Sequence, residues 1–337
     1  MLLAQAIFYR LDNMKFIVLD TKDPHLNLAT EEHLFNTATD DIFMLWQNEP
    51  TVVIGKNQNA YAQINMDYAE KMGIHVARRI TGGGAVYHDL GNLNYTFISP
   101  CGNGTLDFAR FCAPVIDALR ALGVDAVLSG RNDLEVNGRK FSGNAQHASG
   151  GRVLHHGTLL FNSDLTVLDK VLNTDREKLR ARAVDSNRAR VINLCELLPS
   201  IKNARELGER ILEKIKATAD IELESVPPCQ EIEALHRRNA SKEWLYPERD
   251  LLSRYSFVNK VRYDFGTVEV YLEMKNEKII SAKIRGDFFG THPISELEEL
   301  ITGKAPKELD TPELSATLAR TIYGMTSGEF ISQINSL

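Results

Sequence analysis

RRITGGGAVYHDLGNLNYTF, residues 78–97, is the stretch on which the reading of this 337-residue chain turns. β-branched and aromatic residues stand on both sides of Gly82-Gly83-Gly84, so the pattern predicts strands at 74–78, 85–88 and 93–99 with a glycine turn inside them. Consecutive glycines let the backbone take positive φ and approach a ligand closely. Their N–H groups can converge into a nest for an anion, with Arg78 and Arg79 supplying charge at its edge. Taken alone, GGG describes a flexible hairpin with surface arginines just as well. Two phosphate-binding loops are excluded. A P-loop ends in G-K-[ST], whereas Gly84 is followed by Ala85-Val86, and a dinucleotide fingerprint needs a glycine where Tyr87 stands and a helix after it.

Toward the C-terminus, residues 130–146 read GRNDLEVNGRKFSGNAQ. Asn137-Gly138 between strand-like runs predicts a tight hairpin. Strict alternation after the turn then sets Lys140 and Ser142 on one face, and Arg139 and Phe141 on the other. No G-x-S-x-G surrounds Ser142, which argues against a hydrolase nucleophile. In HHGTLL, residues 155–160, adjacent strand histidines face opposite ways, so they cannot chelate one metal together; one is expected to pack and the other to line a site.

A fresh start at Met14 leaves residues 1–13 as a motif-free N-terminal extension. A strand is expected at 15–20, a helix at 25–37, strands at 42–47 and 51–54, and a short helix at 67–72. Further on come a helix at 106–122 ended by Gly123, a strand at 153–161, and a mostly helical pattern over 165–215 interrupted by a basic tract at 176–190. Helices dominate until Trp244-Leu245-Tyr246-Pro247. Three strands (257–262, 267–274, 278–285) and helices after Pro293 and Pro312 follow. The expected class is α/β (α+β): a large domain, 14–246, with mixed sheets flanked by helices, and a small α+β domain, 247–337.

Composition narrows the function. With 39 Lys+Arg against 45 Asp+Glu the chain carries −6, which favours neither nucleic acid nor an anionic membrane as partner. No apolar run reaches the roughly 20 residues of a membrane span, and residues 1–7 lack the basic start of a secretory signal. Cys101, Cys112, Cys195 and Cys229 form no C-x-x-C pair, so neither a zinc site nor a disulfide framework is indicated. The expected location is the cytoplasm.

In their order and spacing, RRITGGGAVYHDLGN, GRNDLEVNGRKFSGNAQ and HHGTLLFNSDL closely resemble the ATP-dependent lipoate–protein ligases of the biotin/lipoate ligase superfamily. The likeness runs from Lys15 to Trp244, and the C-terminal part resembles that family's accessory domain. It implies two steps. Lipoate and ATP, with Mg²⁺, give lipoyl-AMP and pyrophosphate; the lipoyl group then passes to a lysine of a lipoyl domain in a 2-oxoacid dehydrogenase complex or of the glycine-cleavage H protein.

It also implies residue roles. Lys140 matches the position that contacts both lipoate and nucleotide, and Arg79 with Gly84, Ala85, Val86 and Tyr87 matches the ATP-contacting loop. Arg79, His88 and His156 would line the lipoate region, and Asn132 and Asp133 would serve Mg²⁺ or nucleotide unless they form an Asx turn. Charge chemistry is consistent with this assignment: a carboxylate can approach the α-phosphate of ATP only where fixed positive charge and oriented N–H groups offset their repulsion. Residues 176–190 carry six basic and two acidic side chains and match the loop that orders over the adenylate, or else form a solvated helical face.

The alternative is a relative that transfers octanoyl or lipoyl groups through a cysteine thioester, or a non-catalytic lipoyl-binding protein. The thioester reading needs a cysteine before the G-R-K segment, and none stands between Cys112 and Cys195. Biotin ligases share the expected fold but carry a different glycine-arginine loop.

Overall fold

The computed structural model describes residues 14–100, 106–173, 190–217, 221–247 and 254–336. The basic tract at 176–189, the 1–13 extension and Cys101 lie outside the described residues. The strands are Met14–Val18 (β1), Ile42–Trp46 (β2), Thr51–Ile54 (β3), His75–Arg78 (β4), Val86–His88 (β5), Asn92–Pro100 (β6), Val127–Ser129 (β7), Asp133–Val136 (β8), Arg139–Ser149 (β9), Arg152–Leu160 (β10), Ile221–Leu223 (β11), Phe257–Tyr263 (β12), Gly266–Lys275 (β13) and Lys278–Gly286 (β14).

An eight-stranded mixed sheet runs β11-β1-β2-β6-β10-β9-β8-β7, with β1 parallel to both its neighbours. Its longest ladder joins β6 and β10, from Asn92↔Leu160 to Pro100↔Arg152. The β4-β3-β5 sheet lies apart and holds the glycine loop between β4 and β5.

Each face of the large sheet is covered because the sequence supplies apolar stripes at helical spacing. Helix α1 (Pro24–Thr37) starts where Asp23 accepts the His25 and Leu26 N–H groups and Pro24 fixes φ. It and the small sheet cover one face, packing Leu28, Phe35, Val53 and Ala77 on Ile17, Met44, Ile98 and Leu154. On the opposite face, two helices bury Phe43, Tyr95, Phe97 and Phe141. These are α4 (Phe108–Ala121), the fourth helix after Ala60–Gln63 (α2) and Met66–Lys71 (α3), and the helix Ala204–Lys216. In α4 the stripe is Phe111, Cys112, Val115, Ile116 and Leu119, and Gly123 at φ 96° ends the turn. Fully burying each such aromatic or aliphatic side chain stabilises the fold by roughly 1.5–3 kcal/mol.

Two expectations fail in the middle of the chain. Leu194, Leu198 and Ile201 belong to the core, yet 192–203 is irregular apart from a 3₁₀ turn at Leu194–Glu196; helix resumes only at Ala204. Val191 is held in extended form by a bridge to Lys140, and Pro199 breaks the helical run. The short β11 was also missed, because three residues, Ile221–Leu223, carry no periodicity.

After residue 254, β12, β13 and β14 form an antiparallel meander, with Asn276 and Glu277 at positive φ in the β13–β14 turn. This C-terminal sheet domain has its own core: Val268, Val270, Leu272, Ile284, Leu297, Leu318 and Phe330. Beyond β14 the chain returns to the glycine loop. There Gly286 N–H donates to the Asn57 carbonyl at 2.9 Å and Gly83 N–H to the Phe288 carbonyl at 3.3 Å.

Candidate active site

The glycine loop is built from beneath. A Cβ on Gly55, just after β3, would stand 2.2 Å from the Gly83 carbonyl, so only glycine lets the loop settle there. Gly83 itself sits at φ 89°. The arginines expected at the rim are internal braces instead. Arg79 donates to Thr81 Oγ1 (2.9 Å) and to the carbonyls of Val53 (3.1 Å), Gly82 (2.8 Å) and Gly84 (2.8 Å). Burial brings its guanidinium down to about 10, with the Glu31 carboxylate opposing that shift. Arg78, on the other side of β4, donates to the carbonyls of Gly55, Lys56, Gln58, Trp244 and Leu245. Arg79 is buried because a loop without side chains leaves carbonyls that something must satisfy, and Arg78 is buried on the carbonyls of the 55–58 turn and of residues 244–245. The N–H groups of Gly84 and Ala85 donate to nothing among the described residues. Val86 and Tyr87 continue into β5, where burial raises the Tyr87 phenol and keeps it protonated.

Lys140 stands opposite. The β8–β9 hairpin carries a register shift in which Glu135 pairs with Lys140 and Leu134 with Ser142. Phe141 is therefore an extra residue, and strict alternation is lost. Lys140 and Ser142 do not share a face: Lys140 lies over Gly143, whose Cβ, if present, would be 3.1 Å from Nζ. Ser142 turns toward Asn144, whose amide donates to its hydroxyl. Lys140 Nζ pairs with Asp133 Oδ1 at 2.7 Å. Asn132 is anchored by the fold through Nδ2, which donates to the Asn144 carbonyl at 2.7 Å, and its Oδ1 makes no hydrogen bond among the described residues.

Gly143 and Ala145 lie on the same face of β9, and Ala145 is paired with His156 on β10. Lys140 Nζ is thus about two residues, roughly 7 Å, along β9 from the Ala145–His156 pair. His156 is buried, with Nδ1 2.9 Å from Glu31 Oε1 and Nε2 2.9 Å from Thr81 Oγ1. His155 turns to the opposite face, as expected for the packing member of the pair, stacked on Phe111 with Nδ1 on Gln146. Burial lowers His88 on β5 to about 3, and the nearby Arg79 guanidinium pushes it the same way.

The tautomer of His88 follows from its neighbours. Asn27 Nδ2 donates to Asn48 Oδ1, which leaves the Asn48 amide to donate to His88 Nδ1 at 3.1 Å. The His88 proton is then on Nε2, a buried atom with no partner.

The structure therefore brings Lys140, Asp133, His156, His88 and the glycine loop to one side of the large sheet. Sequence reasoning missed Glu31, Thr81, Asn48, Arg131 and Phe289. Phe289 clusters with Phe108 and Ala145, and Arg131 lies over the Phe289 ring at 4.3 Å. Glu31 and Asn48 sit in segments whose helix and strand patterns gave no reason to single out a polar residue; Thr81 was inside the quoted motif. A cavity of about 100 Å³ bounded by Phe16, Leu45, Leu93 and Leu212 lies on the opposite sheet face and does not belong to this cluster.

Among the described residues no group of three His, Cys, Asp or Glu side chains could hold a metal by itself. The Asp133 carboxylate beside Asn132 suits a cation that takes most of its oxygens from phosphates and water, as Mg²⁺ does. No described helix is long and apolar enough to cross a membrane.

The chain belongs to the lipoyl protein ligase A/B family: residues 23–216 match its catalytic domain and residues 253–333 match the bacterial lipoate protein ligase C-terminus. It is an enzyme of the lipoate–protein ligase class. It is 40% identical to the lipoate–protein ligase LplJ of Bacillus subtilis over 84% of this chain and 87% of that protein. In fold it matches the LipL1 protein of P. falciparum crystallised with lipoate, at TM-score 0.79 and 24% identity over 96% of this chain and 98% of the other. It also matches a lipoate–protein ligase A bound with ATP, at TM-score 0.59 and 25% identity over 69% and 98%.

Proposed function

We propose that this enzyme joins lipoate to ATP as lipoyl-AMP, releasing pyrophosphate, and then transfers the lipoyl group to an acceptor lysine. The observation that carries this reading is the Lys140 ammonium lying over Gly143 on the sheet face that holds His156 and meets the glycine loop. The lipoate carboxylate attacks the α-phosphorus, and the P–O bond to pyrophosphate breaks. Lys140 lies between the two anions and stabilises the charge that builds on the phosphate. The free N–H groups of Gly84 and Ala85, leading into Val86 and Tyr87, provide oriented donors for nucleotide oxygens. Arg79 acts through the loop by holding the Gly82 and Gly84 carbonyls. The unpartnered His88 Nε2–H offers the lipoate region a buried donor, while His156 braces its wall. When bound, Mg²⁺ supplies charge neutralisation at the phosphates, and Asp133 with Asn132 would hold it.

Release of Asp133 from Lys140 couples these roles, because a carboxylate that leaves the ammonium becomes available to a cation as the ammonium turns to the substrates. Burying about four lipoyl methylenes at ~0.8 kcal/mol each contributes roughly 3 kcal/mol, enough to require an apolar slot but weak at separating lipoate from octanoate. The acceptors are lipoyl domains of 2-oxoacid dehydrogenase complexes and the glycine-cleavage H protein, and the site of action is the cytoplasm. The domain boundary falls at residues 246–247, and residues 247–337 assist the adenylation half.

The thioester reading needs a thiolate, which neither Cys112 nor Cys195 supplies. Burial pushes the Cys112 thiol up to about 12 in the core beside His155, and burial also raises Cys195. Incubation with lipoate, ATP, Mg²⁺ and a purified lipoyl domain should add one lipoyl mass to its lysine, with no hydroxylamine-labile acyl group on this chain. Modification without ATP would overturn the reading.

A further inference from the structure

A chain of hydrogen bonds crosses the protein beneath the glycine loop, and the chemistry of its members sets its direction. At one end the Arg79 Nε–H, which can only donate, meets Thr81 Oγ1 at 2.9 Å. At the other end the Trp46 indole N–H, also only a donor, meets Thr96 Oγ1 at 2.9 Å, and the Thr96 hydroxyl donates to Glu31 Oε1 at 2.6 Å. Glu31, 1% exposed on α1, can only accept as a carboxylate, and its charge offsets that of buried Arg79. Between the ends stands His156, with Nδ1 2.9 and 3.0 Å from the two Glu31 oxygens and Nε2 2.9 Å from Thr81 Oγ1.

One arrangement satisfies every member. Thr81 accepts from Arg79 and donates to His156 Nε2; His156 then donates from Nδ1 to Glu31. The opposite ring tautomer would set an Nδ1 lone pair against a carboxylate, and would leave the Thr81 hydroxyl proton without an acceptor among these groups.

We infer that Glu31 is a positioning residue for adenylation: its buried carboxylate fixes His156 with the proton on Nδ1, and through Thr81 this holds the glycine loop against the sheet. The inference rests on the proposed function only for the step affected; the tautomer stands on the hydrogen-bond pattern. Thr81 immediately precedes Gly82-Gly83-Gly84, so freeing its hydroxyl loosens the donors that nucleotide oxygens would meet. Arg79, left with carbonyl partners alone, would no longer tie the loop to the sheet through His156.

Two measurements on the full chain test this. In the ¹⁵N-histidine spectrum, with His156→Asn used for assignment, His156 should show a protonated Nδ1 and a bare Nε2. A protonated Nε2, whether Nδ1 is bare or protonated, would overturn the inference whatever the enzyme does. In kinetics, Glu31→Gln has one acceptor oxygen where the carboxylate has two. It should cut lipoate-dependent pyrophosphate exchange about 10- to 100-fold, the scale of a sub-ångström to 1 Å misplacement. Transfer from supplied lipoyl-AMP should stay within about threefold, which a general loss of structure would not allow.

If Glu31→Gln does not fold, Thr81 decides. Thr81→Val keeps the shape, removes the donor and should reproduce the step-specific loss, while Thr81→Ser should restore exchange. Wild-type exchange in folded Thr81→Val would overturn the inference. Absence of exchange in the wild type itself would instead count against the adenylation reading and leave the tautomer result to decide this one.

Discussion

Gly143→Ala is the most economical probe of Lys140, because it moves the ammonium without touching it. Gly143 lies in β9 outside the left-handed region, so alanine can adopt its backbone, and removing a strand-interior glycine stabilises the fold by roughly 0.5–1 kcal/mol. The new methyl would stand 3.1 Å from Lys140 Nζ and 3.3 Å from its Cε, closer than a comfortable carbon contact of about 3.5–4.0 Å. The flexible end of Lys140 therefore gives way by about half an ångström, while the Gly143 N–H keeps its bond to Thr158 Oγ1. Removing a charge-stabilising donor altogether costs 10²–10³ in rate, so a displacement of this size should cost on the order of tenfold, about 1.4 kcal/mol. Pyrophosphate exchange and a thermal melt on the same preparation read both terms. The expected result is an unchanged or higher melting temperature with exchange down about tenfold. Full exchange in the folded variant would refute the view that the ammonium above Gly143 works at the reacting centre.

Lys140→Ala should lower lipoyl-AMP formation by roughly 10²–10³ while remaining folded, and near-normal adenylation would remove Lys140 from its role. Deleting residues 247–337 should depress activity from lipoate plus ATP more than transfer from supplied lipoyl-AMP; equal loss in a folded truncation would count against a step-specific accessory domain. Replacing all four cysteines with Ser or Ala should leave ATP-dependent lipoylation largely intact, with a stability loss of at most a few kcal/mol centred on buried Cys112. In acid, burial holds His88 near 3 and His147 near 4, below the 6.5 of a free imidazole. Unfolding lets both take protons, so the stability they hold above pH 6.5 should drain away toward pH 4, and melting temperatures that stay level over that window would contradict their burial.

Strand and helix order were legible where apolar spacing was regular, as in α4 and the β6–β10 ladder, because periodicity reports which face is buried. The glycine loop and the Asn137-Gly138 hairpin were legible because few residues accept those backbone angles. What could not be read was direction and partnership. Arg78 and Arg79 looked like rim charges, but they are buried because main-chain carbonyls of neighbouring loops need donors, a demand that depends on the fold around them. The bulge at Phe141 moved Lys140 to the Gly143 face, and no local signal marks one extra residue in a ladder. Glu31 lies 125 residues from His156, so only the folded chain brings them together.

The central claim is that lipoate is activated as an adenylate at Lys140. Exchange of labelled pyrophosphate into ATP tests it most directly, since the reversal requires lipoyl-AMP on the enzyme. Exchange that appears only when lipoate is added, and falls by roughly 10²–10³ in Lys140→Ala, is the result this account predicts. Exchange that is indifferent to lipoate, or acceptor lipoylation that proceeds with no exchange at all, would contradict it.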